Sequence, residues 1–179
     1  FRFVTASDGW TVTDVGDLDD LSYGSQYSLK LNPSKNKLLI TAAGQDDINI
    51  SIYDASGDSW SDPDDLINIS NADVQGSQWI SDTEIVIGED YGGGSNRGRI
   101  WYYRQEDGTD GTNSSHWDFQ ESVQGNTNEY VGAGMYYHTG SNTLLTIKSP
   151  DGQNPYVQSS GISQLPTPTT IDLFKFVSG

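Results

Sequence analysis

Residues 79–103 read Trp79-Ile80-Ser81-Asp82-Thr83-Glu84-Ile85-Val86-Ile87-Gly88-Glu89-Asp90-Tyr91-Gly92-Gly93-Gly94-Ser95-Asn96-Arg97-Gly98-Arg99-Ile100-Trp101-Tyr102-Tyr103. A short polar turn leads into an apolar run, a glycine-rich loop follows, and an aromatic run closes the stretch. Runs of four to six apolar residues between Gly, Asn, Asp and Ser clusters are the mark of short strands joined by tight turns. Two further runs have the same character, Lys37-Leu38-Leu39-Ile40-Thr41 and Thr143-Leu144-Leu145-Thr146-Ile147. Helical periodicity is scarce. Asp62-Pro63-Asp64-Asp65-Leu66, a proline behind an N-cap residue, is the one helical-turn candidate, and a loop fits it as well.

The pattern recurs. Gly24, Gly76 and Gly132 each precede one of the three apolar runs, and they stand 52 and 56 residues apart. Each run leads through a polar loop to an aromatic strand: Asn49-Ile50-Ser51-Ile52-Tyr53, Arg99-Ile100-Trp101-Tyr102-Tyr103 and Ile171-Asp172-Leu173-Phe174-Lys175-Phe176. Turns and tryptophans follow the first two, at Trp60 and Trp117, and Trp10 follows Phe1-Arg2-Phe3-Val4 in the same way. A four-strand unit of about 50 residues has the length of a propeller blade. The expectation is therefore an all-β fold, a β-propeller-like array of four-stranded antiparallel blades in one domain spanning 1–179. Residues 1–20 read as the last two strands of a preceding blade, 21–70 and 71–125 as whole blades, and 126–179 as a partial one. Closed propellers use four to eight blades, so the reading is of a fragment of a larger propeller.

The stretch 79–103 resembles an FG-GAP repeat, the blade of integrin-α-type propellers, with Gly88 and Gly98 at the matching places. Residues 24–57 match more loosely, and the third unit matches at Gly132 and Leu144 to Ile147. The resemblance implies a propeller with a binding role outside the cell. The family's Gly-Ala-Pro is Gly88-Glu89-Asp90 here and its Phe-Gly is Gln75-Gly76. The turns where it carries calcium (32–37, Ser81-Asp82 and 138–142) lack the alternating aspartates, so no calcium site is carried over.

Composition narrows the function. The 179 residues hold 25 acidic and 9 basic side chains, a net charge of -16, and no cysteine. Such a chain has no basic surface for phosphates, which excludes nucleic acid, and none for anionic lipid. No apolar run reaches the ~18 residues of a membrane-inserted helix. Disulfides and thiolate chemistry are excluded. Strong acidity suits a saline or calcium-bearing exterior, where screening offsets self-repulsion.

Catalytic residues are thin. The chain holds two histidines, His116 and His138, the residue type best suited to proton transfer at neutral pH. A Tyr/His pair at Tyr136, Tyr137 and His138 is chemically able to act as acid and base, but the end of a strand before Thr139-Gly140 explains it by packing. No nucleophile elbow, phosphate loop or zinc helix occurs, so the chain reads as not an enzyme. Calcium is the one cofactor the acidic loops suggest: Gln45-Asp46-Asp47 and Glu89-Asp90 are acidic, and the candidate oxygen ligands stand best in two turns, Asp54, Ser56 and Asp58, and Glu106, Asp107 and Asp110. Aromatics beyond the needs of a core mark Tyr91, Asn96, Trp101, Tyr103 and Tyr136 as candidate ligand contacts, with alternation placing Trp101 and Tyr103 on one face and Tyr102 on the other. Sequons occur at Asn49, Asn68 and Asn113.

The function expected is a secreted or surface-exposed, non-catalytic binding, adhesion or structural module, whose partner is an extracellular protein or glycan. Alternatives are a self-assembling component of a virion surface or extracellular filament, and a fragment of a secreted carbohydrate-active enzyme.

Overall fold

In a strand successive side chains point to opposite faces, so an apolar run flanked by turns buries both faces only between two other layers. The computed structural model of the chain realises this for residues 79–89 and 98–103. It describes residues 2–6, 9–13, 27–42, 47–54, 59–60, 64–68, 73–90, 98–126, 129–150, 155–160, 162–163 and 165. The fold over these residues is all-β, with every strand pair antiparallel.

Strands β1 (Arg2–Ala6) and β2 (Gly9–Thr13) form a hairpin. The first sheet consists of β3 (Tyr27–Leu31), β4 (Lys37–Ala42) and β5 (Asp47–Asp54). Its outer edge is shared by two short strands that both pair with β5: β6 (Ser59–Trp60) and β7 (Asp64–Asn68). The helical-turn or loop reading of 62–66 is thereby corrected. Acids and a flanking proline suit a short edge strand, whose outer backbone groups face water. The second sheet is the four-strand meander β8 (Asp73–Ser81), β9 (Glu84–Asp90), β10 (Arg99–Gln105) and β11 (Trp117–Gln124). The third comprises β12 (Glu129–His138), β13 (Thr143–Pro150) and β14 (Tyr156–Ser159). The strand paired with β13 is thus Tyr156–Ser159; the run 171–176, expected in that place, lies outside the described residues.

The three sheets pack against one another in chain order. Past the register shift between Val74 and Gly76, odd residues of the middle sheet face the first: Trp79, Ile85, Ile87 and Trp117, with Val74 from before the shift, bury with Leu39 and Ile67. Even residues face the third: Ile80, Val86, Ile100 and Tyr102 bury with Val131, Tyr137, Leu144 and Ile162. Burying each large apolar side chain stabilises the fold by about 1.5–3 kcal/mol, so the doubly covered middle sheet holds most of the core. The tryptophan phase is explained at position 117. Trp117 lies 6.1 Å from Trp79, ring to ring, and donates its indole N–H to the carbonyl of Gly111 at 3.0 Å. Trp10 and Trp60 lie in strands, but their side chains are outside the description.

Two kinds of contact set the sheet spacing. Thr41 and Ser77 share a buried hydrogen bond of 2.5 Å between the first and second sheets. Between the second and third, Gly88 lies against Gly132 with no side chain between the backbones. Gly132 stands at φ 86° where the β12–β13 register shifts, a conformation that only glycine adopts freely.

Polar turns join the sheets at one end. Asp82, in the β8–β9 turn, accepts from the Asn32 amide at 2.7 Å, the Ser34 N–H at 2.8 Å and the Ser34 hydroxyl at 2.5 Å. Burial would raise the Asp82 carboxyl, but the two Ser34 donors, the Lys37 charge and Asn32 outweigh it and hold it below its usual range. Glu84 behaves alike: burial raises it, and hydrogen bonds from Tyr102, Ser81 and Arg104 bring it lower still. Both carboxyls therefore bind protons more weakly folded than unfolded. The stability they add is complete above their ordinary values of 3.8 and 4.5 and is lost as the pH falls through the folded values. The melting temperature is expected to fall steeply below about pH 4. Asp82→Asn should flatten that fall in a pH series of thermal melts, and an unchanged slope would remove Asp82 as a source.

Candidate binding surface

Alternation along β10 sends Ile100 and Tyr102 into the core beneath the third sheet and turns Arg99, Trp101 and Tyr103 the other way. The neighbouring strand β11 is the sheet's edge, and a register shift between Tyr102 and Tyr103 sets Phe119 opposite Tyr103. Phe119 is 52 % exposed. Its ring lies edge-on to Trp101 at 5.5 Å and to Tyr103 at 5.8 Å, the arrangement aromatic quadrupoles favour. The Arg99 guanidinium sits over the Trp101 ring, 4.8 Å from its centroid.

Beneath the ridge is a carboxylate. Glu89 is buried, and the Trp101 indole N–H donates to its Oε2. That bond fixes the tilt of the indole while its outer ring packs against Phe119. The Tyr103 phenol is pushed up to about 12 by burial and by the Glu89 charge, so it stays a neutral hydrogen-bond donor at any working pH. The resulting surface is a short aromatic ridge with a fixed cation at one end. It can stack on a flat apolar face and donate hydrogen bonds, and it presents no nucleophile.

The candidate contacts named from sequence do not form one site. Trp101 and Tyr103 adjoin as alternation requires, whereas Tyr136 lies on the far face of the third sheet, 59 % exposed, 6.5 Å from the His138 ring. Tyr91 and Asn96 lie outside the described residues. Phe119 and Arg99 were missed, as was the bond between Trp101 and Glu89. Trp117-Asp118-Phe119 carries a period-two signal that would have placed Phe119 beside Trp117 on one face, but nothing in the sequence gives the register against β10.

Of the candidate calcium ligands, Asp54 ends β5 and Ser56 and Asp58 lie outside the described residues. Glu106, Asp107 and Asp110 lie exposed in the β10–β11 connection. Asp110 Oδ1 already accepts from the Thr112 hydroxyl at 2.7 Å and the Thr112 N–H at 3.0 Å, and lies 3.2 Å from His116 Nδ1. Among the described residues no three His, Cys, Asp or Glu side chains converge for a metal. The other end of that connection is clasped to the first sheet, where Lys37 donates to Gln105 Oε1 at 2.9 Å and the Gln105 amide donates to the Thr109 carbonyl at 2.5 Å.

His138 is tied into the 139–142 turn, with Nδ1 2.8 Å from the Ser141 hydroxyl and accepting from the Ser141 N–H at 3.1 Å. Asn113 is exposed and caps the 3-10 turn Ser114–His116, accepting from the Ser115 N–H at 2.9 Å.

No protein-family model matches this chain, and neither does any curated protein or solved structure.

Proposed function

We propose that the chain is a non-catalytic binding and adhesion module working outside the cell, built from propeller-type blades of the FG-GAP kind. The ridge of Arg99, Trp101, Tyr103 and Phe119 is its contact surface for a glycan. The observation that carries the binding role is Phe119 standing out on an edge strand with two aromatic neighbours and a stacked cation, more aromatic surface than the buried cluster below it uses. Stacking of a sugar's apolar face on Trp101 or Phe119, with Tyr103 and Arg99 donating to hydroxyl or acidic substituents, matches the chemistry of that surface. Support for the propeller reading comes from meander sheets that follow one another in chain order, each packed on the next through its first two strands.

The test is a glycan array probed with the wild-type chain, with Phe119→Ala as the control, in calcium and again in chelator. Truncating a central aromatic anchor typically costs about 2 kcal/mol, roughly thirtyfold in affinity. Phe119→Ala is expected to weaken binding by that amount with stability changed by less than about 0.5 kcal/mol. Tyr136→Ala should leave binding unchanged. Equal binding by wild type and Phe119→Ala across every retained glycan would remove the ridge from the proposal.

A further inference from the structure

The two internal sheet junctions are built in the same register. On β4 the residues two and four places after the strand's start, Leu39 and Thr41, face the next sheet. On β9 the same places are Val86 and Gly88, and they too face the next sheet. On β13 they are Leu145 and Ile147. There Ile147 is 40 % exposed, and beside it on the same face stand Tyr136, opposite Leu145, and Val157, opposite Ile147 and 64 % exposed. At the other end of the stack, Leu29 and Leu31 are 56 % and 50 % exposed on the face of the first sheet turned away from the second. On that face Ile40 is buried and Leu38 half-buried, whereas Leu29 and Leu31 are uncovered.

One chain thus carries both halves of a junction it already makes twice. The open face of the third sheet continues the side that receives a following sheet, and Leu29 and Leu31 belong to the side that a preceding sheet covers. We propose that a second copy of this chain continues the stack head to tail, seating Leu29 and Leu31 of one copy against Tyr136, Ile147 and Val157 of the other. The contact is heterologous, so successive copies close a ring or extend as a filament according to the angle each step adds. None of these five side chains is charged, whereas the whole chain carries -16. Repulsion between copies is then long-ranged and apolar attraction short-ranged, so added salt strengthens the association.

The experiment is sedimentation of the 179-residue chain over roughly a hundredfold range of concentration, at low and high salt. The mass is expected to rise above one chain with concentration, with the association at least about tenfold tighter at high salt. Val157→Asp and Leu29→Asp should each stay at the mass of one chain. An equimolar mixture of the two retains one intact pair of faces and should give one-to-one dimers and nothing larger. Circular dichroism and melting confirm that the variants fold; Tyr136→Ser and Leu31→Ser serve in their place if either does not. A wild-type chain that stays monomeric throughout overturns the proposal, leaving those faces to another polypeptide. Self-association of Leu29→Asp alone, the sign of a symmetric contact through the third sheet, overturns it equally.

Discussion

Replacing Gly88 by alanine is expected to cost about 3 kcal/mol or more, lowering the melting temperature by about 6–12 °C. The added methyl would lie 2.6 Å from the carbonyl carbon and from Cα of Gly132, and backbone cannot swing aside as a side chain can. Relief requires the second and third sheets to move apart, opening the cluster of Val86, Ile100, Tyr102, Val131 and Leu144. Gly132→Ala meets Gly88 Cα at 2.5 Å and adds the strain of an alanine at φ 86°. Gly108→Ala separates the two effects, since Gly108 has φ 83° and nothing within 4 Å of an added Cβ, so only backbone strain of about 1–2 kcal/mol applies. The double variant at Gly88 and Gly132 should fall short of the sum, because the first change already opens the junction that the second would strain. Urea titrations decide the matter: a Gly88→Ala chain no less stable than Gly108→Ala would mean that the sheets are not so close.

Removing the Glu84 carboxylate is the second large effect. Glu84 Oε1 accepts from the Tyr102 hydroxyl at 2.5 Å and from Arg104 at 3.0 and 3.1 Å, while Oε2 accepts from the Ser81 hydroxyl at 2.9 Å. Tyr102 is wholly buried, so in Glu84→Ala its proton is left without an acceptor in the core. Arg104 is half exposed and turns to water, which tempers the loss. The expected cost is about 2–3 kcal/mol. Adding Tyr102→Phe should recover part of it, because an orphaned hydroxyl costs more than an absent one. A double variant less stable than Glu84→Ala would assign the Tyr102 hydroxyl to some other partner. Burial and the Glu84 hydrogen bond also raise the Tyr102 phenol to about 12. The stability this adds is present below the unfolded value of 10.0 and is lost as pH rises through the folded one.

The parts of this fold that could be read from sequence are those in which a residue's meaning is local. Leu38 to Thr41, Glu84 to Gly88 and Thr143 to Ile147 carry the apolar residues that each sheet packs against its neighbour, and they form β4, β9 and β13. Tyr102 parts from Trp101 and Tyr103 because strand geometry leaves no alternative. What escaped depends on a distant neighbour. Gly88 looks like the glycine that opens a loop, and only the third sheet lying on it reveals a spacer. Asp82 sits in an ordinary turn, and its three hydrogen bonds go to residues some 50 positions earlier. Tyr156–Ser159 is a short, mostly exposed edge strand with no apolar run to announce it. The ridge was half legible for the same reason: Trp101 and Tyr103 follow from alternation, whereas Phe119 needs the β10–β11 register.

A middle sheet covered on both faces bears on how the chain is made. Each sheet draws its strands from one contiguous stretch, so hairpins form as soon as their residues leave the ribosome, well within the ~0.1 s spent on each added residue. Yet when Gln124 has emerged, Ile80, Val86, Ile100 and Tyr102 have no cover, and they acquire it only after residues 129–162 are added. At ~5–20 residues per second that wait lasts a few seconds. A nascent chain paused in that interval offers an apolar sheet to chaperones or to its neighbours on the same message.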